Sequence, residues 1–312
     1  MDNVNDAIVS EIAYLRWGLS PKRRGREWHS PCPQCGGEDR FIIFANGGFW
    51  CRHGDCGYRG WLDDDKQDWK PDPRLAQKWL EDKAIREAEQ YAKDLAWREG
   101  FKVGYIRGWH DAMSERERAW WYQQGITSYQ IDHYTLGYIP QKRIRVGDGF
   151  TEVAVYTIPI RDPDDWDTIV NIQYRIADPL PGIGKYRQEA GISAAAFFAE
   201  PRGINDSAII VEGAKKAMVV YDRLDGAVQV VGLPGNTPGD RIITKIAEQK
   251  YKRIWIALDP GCLAKAENIA RQIGGGWVVN LPDKPDDAIL RGILTVERLR
   301  EYARQARQAR RI

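Results

Sequence analysis

Four of the five cysteines lie between positions 32 and 56, as Cys32-Pro-Gln-Cys35 and Cys51-Arg-His-Gly-Asp-Cys56. The chain has no secretory signal and no apolar run long enough to span a membrane, so paired cysteines at this spacing point to metal ligation before disulfides. The 15 residues between the pairs read as a β-hairpin: Phe41 to Phe44, a turn at Asn46-Gly47-Gly48, then Phe49 to Cys51. Two cysteine knuckles around a hairpin predict a zinc ribbon, with Cys32, Cys35, Cys51 and Cys56 as thiolate ligands of a structural Zn2+. His53 is the alternative fourth ligand. Glycines follow each knuckle, at Gly36, Gly37 and Gly57, and free the backbone to turn its amides toward sulfur.

A second constraint lies at Ser207-Ala-Ile-Ile-Val-Glu-Gly-Ala-Lys-Lys216. Ala208 to Val211 reads as a buried strand with Glu212 at its end, and Gly213 opens a turn into a helix from Ala214 to Leu224. From there strands and helices alternate, at 208–211, 214–224, 228–231, 238–248, 253–258, 262–273, 277–280 and 295–309, the pattern of an α/β domain with a parallel sheet. The strand Arg253-Ile-Trp-Ile-Ala-Leu258 leads to Asp259. Ligands bind beyond the carboxyl ends of parallel strands, so Glu212 and Asp259 suggest a divalent-cation site. Asp259 followed by Pro260 also makes a good helix cap. Val231-Gly-Leu-Pro-Gly235 carries no Walker-type lysine motif, which argues against a phosphate-binding loop and a helicase motor.

Between these regions, apolar positions at Val4, Ile8, Ile12 and Leu15 predict a short helix, and Asp72-Pro73 caps a long one over Arg74 to Glu99. That helix is so polar that it reads as an exposed linker, with a partner-binding helix as the alternative. Ser114-Glu-Arg-Glu117 is a capping box, and Thr127 or Ser128 caps another helix. Val153 to Ile160 and Thr168 to Ile176 alternate with period two around Asp162-Pro-Asp-Asp165, an antiparallel hairpin. Net charge is only +2, yet positions 291 to 312 hold seven arginines against two glutamates, a solvated helix or a contact for an acidic partner. Of the thirteen tryptophans, Trp17, Trp28, Trp50 and Trp61 sit near the cysteines, where exposed rings stack on unpaired bases and buried ones form core.

In this order the modules resemble the DNA-dependent RNA primases of bacteria and their phages. Cys32-Pro-Gln-Cys35 with Arg40-Phe41, and Cys51 to Cys56 with Gly57 and Gly60, look like that family's zinc ribbon. Gln124-Gly-Ile-Thr through Leu136-Gly-Tyr138, Ile158-Pro-Ile-Arg-Asp162, Gln173-Tyr-Arg175 and Lys185-Tyr186 are similar to its basic subdomain. Val211-Glu-Gly213, Leu258-Asp259 and Pro285-Asp-Asp287 fall where its Toprim motifs fall.

The resemblance implies an α+β multi-domain chain: zinc ribbon (1–62), charged helical linker (63–112), mixed α+β basic subdomain (113–203), α/β Toprim domain (204–290) and basic C-terminal helix (291–312). It further implies a nucleotidyltransferase that copies single-stranded DNA into short RNA primers from NTPs. Glu212, Asp259 and Asp286 are the implied catalytic residues and ligands of Mg2+ or Mn2+, while Arg161, Arg175, Lys185, Lys215 and Lys216 face template or nucleotide. A replicative helicase is an implied partner, met by the basic tail, since no helicase-binding domain is expected after residue 312. The expected location is the cytoplasm of a bacterial cell or phage-infected host. The chain departs from the family's acids at Lys216, Gly261 and Lys284. These departures favour the alternative, a non-catalytic primase-like protein that binds single-stranded DNA or recruits replication partners.

Overall fold

The computed structural model describes residues 9, 12–13, 16–25, 27–54, 56–62, 73–101, 103–147, 149–181 and 183–309. Most of the expected amino-terminal helix, and the cap at Asp72, lie outside them. The chain divides into two compact units, Met1–Lys83 and Ala84–Ile312.

The first unit is a five-stranded antiparallel sheet in sequence order: β1 (Lys22–Arg24), β2 (Glu27–Cys32), β3 (Gly36–Phe44), β4 (Gly48–Cys51) and β5 (Arg59–Trp61). The expected hairpin is β3–β4, with Ile43 opposite Phe49 and Phe41 opposite Cys51. One face of the sheet is core: Trp28, Phe41, Ile43, Phe49 and Leu62 are buried together with Cys32 and Cys51. Trp17 closes this core edge-on against Phe41 and Phe49, and its indole N–H donates to the Tyr58 hydroxyl at 2.8 Å. Of the four tryptophans near the cysteines, Trp28 is buried, Trp17 and Trp61 are half-buried, and only Trp50 is exposed.

Helix α1 (Pro73–Gly100) runs through the division between the units and is followed by α2 (Val103–Asp111). The exposed linker expected here is only part of the picture. Ile85 and Tyr91 face solvent, but Asp94 is buried and Trp97 packs against a core that includes Ile106 of α2. Next come α3 (Glu115–Gln123) and α4 (Ser128–His133), each opened by a complete capping box, at Ser114 with Glu117 and at Thr127 with Gln130. A four-stranded antiparallel sheet follows in sequence order: β6 (Gly137–Val146), β7 (Gly149–Asp162), β8 (Asp165–Ile176) and β9 (Tyr186–Gln188). The β7–β8 pair is the expected hairpin.

The remaining sheet has six strands, in the order β10 (Phe197–Phe198), β12 (Gln229–Leu233), β11 (Ser207–Glu212), β13 (Arg253–Ile256), β14 (Gly276–Val278) and β15 (Arg307–Ala309). Strands β11 to β14 are parallel, and the two edges are antiparallel. Its helices are α5 (Ala214–Arg223), α6 (Asp240–Glu248), α7 (Leu263–Gln272), α8 (Pro285–Leu290) and α9 (Val296–Gln305). Ile242, Ile246 and Ile269 of α6 and α7 cover one face, while Ala217 and Met218 of α5 join Trp121, Ile131, Ile158 and Ile160 on the other. A single core therefore fastens α3, α4 and the four-stranded sheet to the parallel sheet, and the buried Gln130 amide donates to the Met218 carbonyl at 2.8 Å.

The helix expected to run to residue 309 ends at Gln305. Ala306 is extended, and Arg307–Ala309 pair with Gly276–Val278, because β14 would otherwise leave an open edge of unpaired backbone groups. One glycine is sterically required: a Cβ at Gly232 would lie 2.6 Å from the Gly213 carbonyl oxygen, where β12 passes the turn after Glu212. Backbone cannot yield as a side chain can, so Gly232→Ala is expected to destabilise the second unit by about 1–3 kcal/mol in urea unfolding.

Candidate metal centre and strand-end site

In the first unit, Cys32 closes β2, Cys35 follows in the turn, Cys51 closes β4, and Cys56 lies in the loop before β5. The Sγ atoms of Cys32 and Cys56 are 3.6 Å apart, those of Cys35 and Cys51 are 3.5 Å apart, and all four lie within 4.8 Å of one another. Four sulfurs about 2.3 Å from one ion at tetrahedral angles stand at such separations, so the cluster fits structural Zn2+. Gly36 and Gly57, with φ of 69° and 61°, make the turns that close each knuckle. His53 is not in the cluster; its backbone N–H donates to the Cys51 sulfur at 3.4 Å. Burial pushes the Cys35, Cys51 and Cys56 thiols up, a cost that a bound dication reverses.

In the second unit, Glu212 ends β11 at the point where the strand order reverses, with β12 on one side and β13 on the other. Such a switch point leaves a crevice beyond the strand ends. Gly213, at φ 92°, turns the chain into α5, whose first turn carries Lys215 and Lys216. Lys216 Nζ is 2.5 Å from Asp259 Oδ1, and Lys215 Nζ is 2.8 Å from Asp286 Oδ2, with all four side chains largely buried. Asp286 lies in α8, which packs on α5, and its Oδ1 is buried without a hydrogen-bond partner. Asp259 is not a helix cap: Cys262 occupies that position before α7.

Beside α8, Tyr186 is pushed up by burial, held back by Arg175, and raised further by the charges of Asp286 and Asp287. The Arg175 guanidinium lies against the rings of Trp120 and Tyr186, 5.5 and 5.8 Å from their centroids. Lys185 is exposed next to it in sequence. Arg161 is elsewhere, lining a cavity with Arg98, Arg241 and Lys245. Sequence reasoning had no signal for Arg98 and Arg241, or for the role of Tyr186, because each acquires its partners only through the fold.

The test that zinc passes at the cysteines gives a different answer for Mg2+ or Mn2+ at the strand ends. Asp259 and Asp286 each already hold an ammonium group. Among the described residues, the cysteine cluster is the only gathering of three or more metal-ligating side chains. With the acids paired in this way the residues do not fit a divalent cation, and no step is assigned to one.

No known protein family and no curated protein matches the chain by sequence. Solved structures do match. The DnaG catalytic core is similar over 66% of this chain and 79% of its own, with a TM-score of 0.52 and 13% identity. The fold is that of the DnaG primase core. Two further DnaG structures agree: the RNA polymerase domain from Mycobacterium tuberculosis with a double-stranded DNA oligomer carrying a 6-nucleotide overhang, and a catalytic domain bound to single-stranded DNA. The first covers 69% of this chain and 81% of its own at TM-score 0.51 and 13% identity; the second covers 70% and 83% at 0.50 and 14%. The chain is thus mixed α+β, with a partly parallel sheet in a DnaG-like core and a four-cysteine cluster near its amino terminus. Among the described residues, no helix is long and apolar enough to cross a membrane.

Proposed function

We propose that the chain is a DNA primase: it binds a single-stranded DNA template and joins NTPs into short RNA primers inside a bacterial or phage-infected cell. In this reading, 1–62 is the zinc-ribbon template-binding domain, 113–203 the basic subdomain and 204–290 a Toprim domain. The observation that carries it is Glu212 at the switch point of a primase-core sheet, with two lysines in the turn beyond it. Glu212 has no ion pair among the described residues, so its carboxylate is free to act as acid or base. Triphosphate oxygens compete with Asp259 and Asp286 for the ammonium groups of Lys216 and Lys215, and Arg175 supplies a third cation beside them. A helicase partner is part of this proposal through the resemblance.

The outer face of the ribbon supports template binding. Cross-strand register puts His29, Ile42, Trp50 and Arg59 in one row, of which His29 and Ile42 are buried and Trp50 and Arg59 exposed, with Lys22 opposite His29, and Arg24 and Arg40 two residues from Lys22 and Ile42. An exposed indole among Lys22, Arg40 and Arg59, with Arg24 beside them paired to Asp39 at 3.1 Å, is a stacking platform on a basic surface. Trp50→Ala is expected to weaken binding of an oligothymidylate by about tenfold or more in fluorescence anisotropy, with the zinc content unchanged.

A second reading is favoured by the Lys215–Asp286 and Lys216–Asp259 pairs: a protein that binds single strands and recruits partners without joining nucleotides. Primer synthesis on a library of single-stranded templates separates the two.

A further inference from the structure

We propose that the cavity between α1, the β7–β8 hairpin and α6 binds a phosphate-sized oxyanion through Arg98 and Arg161. It has a volume of about 250 Å³, and none of Glu212, Asp259, Asp286, Lys215 and Lys216 lines it. Four cationic side chains line it, Arg98, Arg161, Arg241 and Lys245, against two carboxylates, Asp94 and Asp162.

Both carboxylates are already committed. Burial alone would raise the Asp94 carboxyl, but hydrogen bonds from Ser193, Gln90 and Arg241 outweigh it and hold it at about 2. Asp162 is gripped by Lys245 at 2.7 Å, as is Asp164. Arg161 is left with neutral partners, the Trp166 carbonyl at 2.9 Å and the Thr135 hydroxyl at 3.3 Å. Burial lowers its pKa below the usual arginine value, and the nearby Asp167 offsets this only in part. The Nε atoms of Arg98 and Arg161 are both buried without an acceptor. Two half-buried guanidinium groups with no bonded carboxylate among the described residues, in one partly enclosed cavity, leave cationic donors for an anion to pair with. Their planar donor geometry suits phosphate oxygens. Whole small-molecule sites run to about 300–1,000 Å³, so this cavity suits phosphate or pyrophosphate, or one phosphate group of a strand.

The test is isothermal titration of the zinc-loaded full chain with inorganic phosphate and with pyrophosphate, at ionic strength held constant with chloride. Saturable binding is expected, weakened about tenfold or more by Arg161→Gln and by Arg98→Gln and unchanged by Lys252→Gln, an exposed side chain outside the cavity. A melting curve on each variant checks the fold, and Arg161→Lys and Arg98→Lys replace any variant that does not fold. Displacement of pyrophosphate by oligothymidylate in the parent would identify the strand backbone as the source of the phosphate; no displacement would identify a free anion. Absence of saturable binding of both anions, or binding that ignores both arginine substitutions, would overturn the proposal. The test does not depend on primer synthesis, so the two proposals fail separately.

Discussion

Cys35→Ser, or removal of metal with a strong chelator, is expected to cost the first unit its fold. In the parent, one zinc per chain is expected by elemental analysis. The reason is the size of the apolar core: Val9, Ala13, Trp28, Phe41, Ile43, Phe49 and Leu62 are few for a five-stranded sheet, and two further core side chains are themselves cysteines of the cluster. Small domains of this kind draw much of their stability from the metal, with apparent binding free energies of about 10–16 kcal/mol in zinc-finger peptides. The variant should lose zinc, and the buried Trp28 and packed Trp17 should redden in fluorescence as they meet water. The helices of the second unit have their own cores, so most of the helical dichroism should persist. A Cys35→Ser chain with full zinc and unchanged fluorescence would contradict the assignment.

The second large effect concerns Lys215. Asp286 is only 3% exposed, and one of its oxygens already lacks a partner. Lys215→Met removes the other oxygen's cation and strands a buried carboxylate, which costs about 3–5 kcal/mol. Lys215→Met with Asp286→Ala should recover most of that loss, since removing both partners leaves no charge to compensate. Urea unfolding followed at the tryptophans measures both. Equal instability of the single and double variants would mean that packing, rather than the ion pair, carries the effect.

Local signals carried much of the fold. The cysteine spacing, the hairpin turn at Asn46-Gly47-Gly48, the capping box at Ser114, a helix cap at Thr127 or Ser128 and the β7–β8 alternation are each written within a few residues, and the structure has each of them, with Thr127 as the cap and Gln130 completing a second box. Pairings at long range were not legible. The antiparallel edges β10 and β15 are short and have no periodicity of their own, so only the neighbouring strand reveals them. At the strand-end site, the alternation placed Glu212 at the end of its strand, whereas the strand expected to run to Leu258 ends at Ile256 and leaves Asp259 in the loop beyond it. The partnering of Lys216 with Asp259, 43 positions away, depends on how α5 packs on the parallel sheet, which no local pattern encodes. Likewise, the polarity of α1 hid Asp94, whose burial is satisfied by Ser193 and Arg241 from distant segments.

Primer synthesis decides whether Glu212 sits in a working primase site, as proposed. The zinc-loaded full chain is incubated with labelled ribonucleotides, single-stranded DNA templates and Mg2+ or Mn2+, with Glu212→Gln run beside it. Short RNA products are expected from the parent and none from Glu212→Gln, with template binding equal in both. A parent chain that binds single strands yet makes no RNA on any template would contradict the proposal, and the ion pairs of Asp259 and Asp286 would then mark a binding protein.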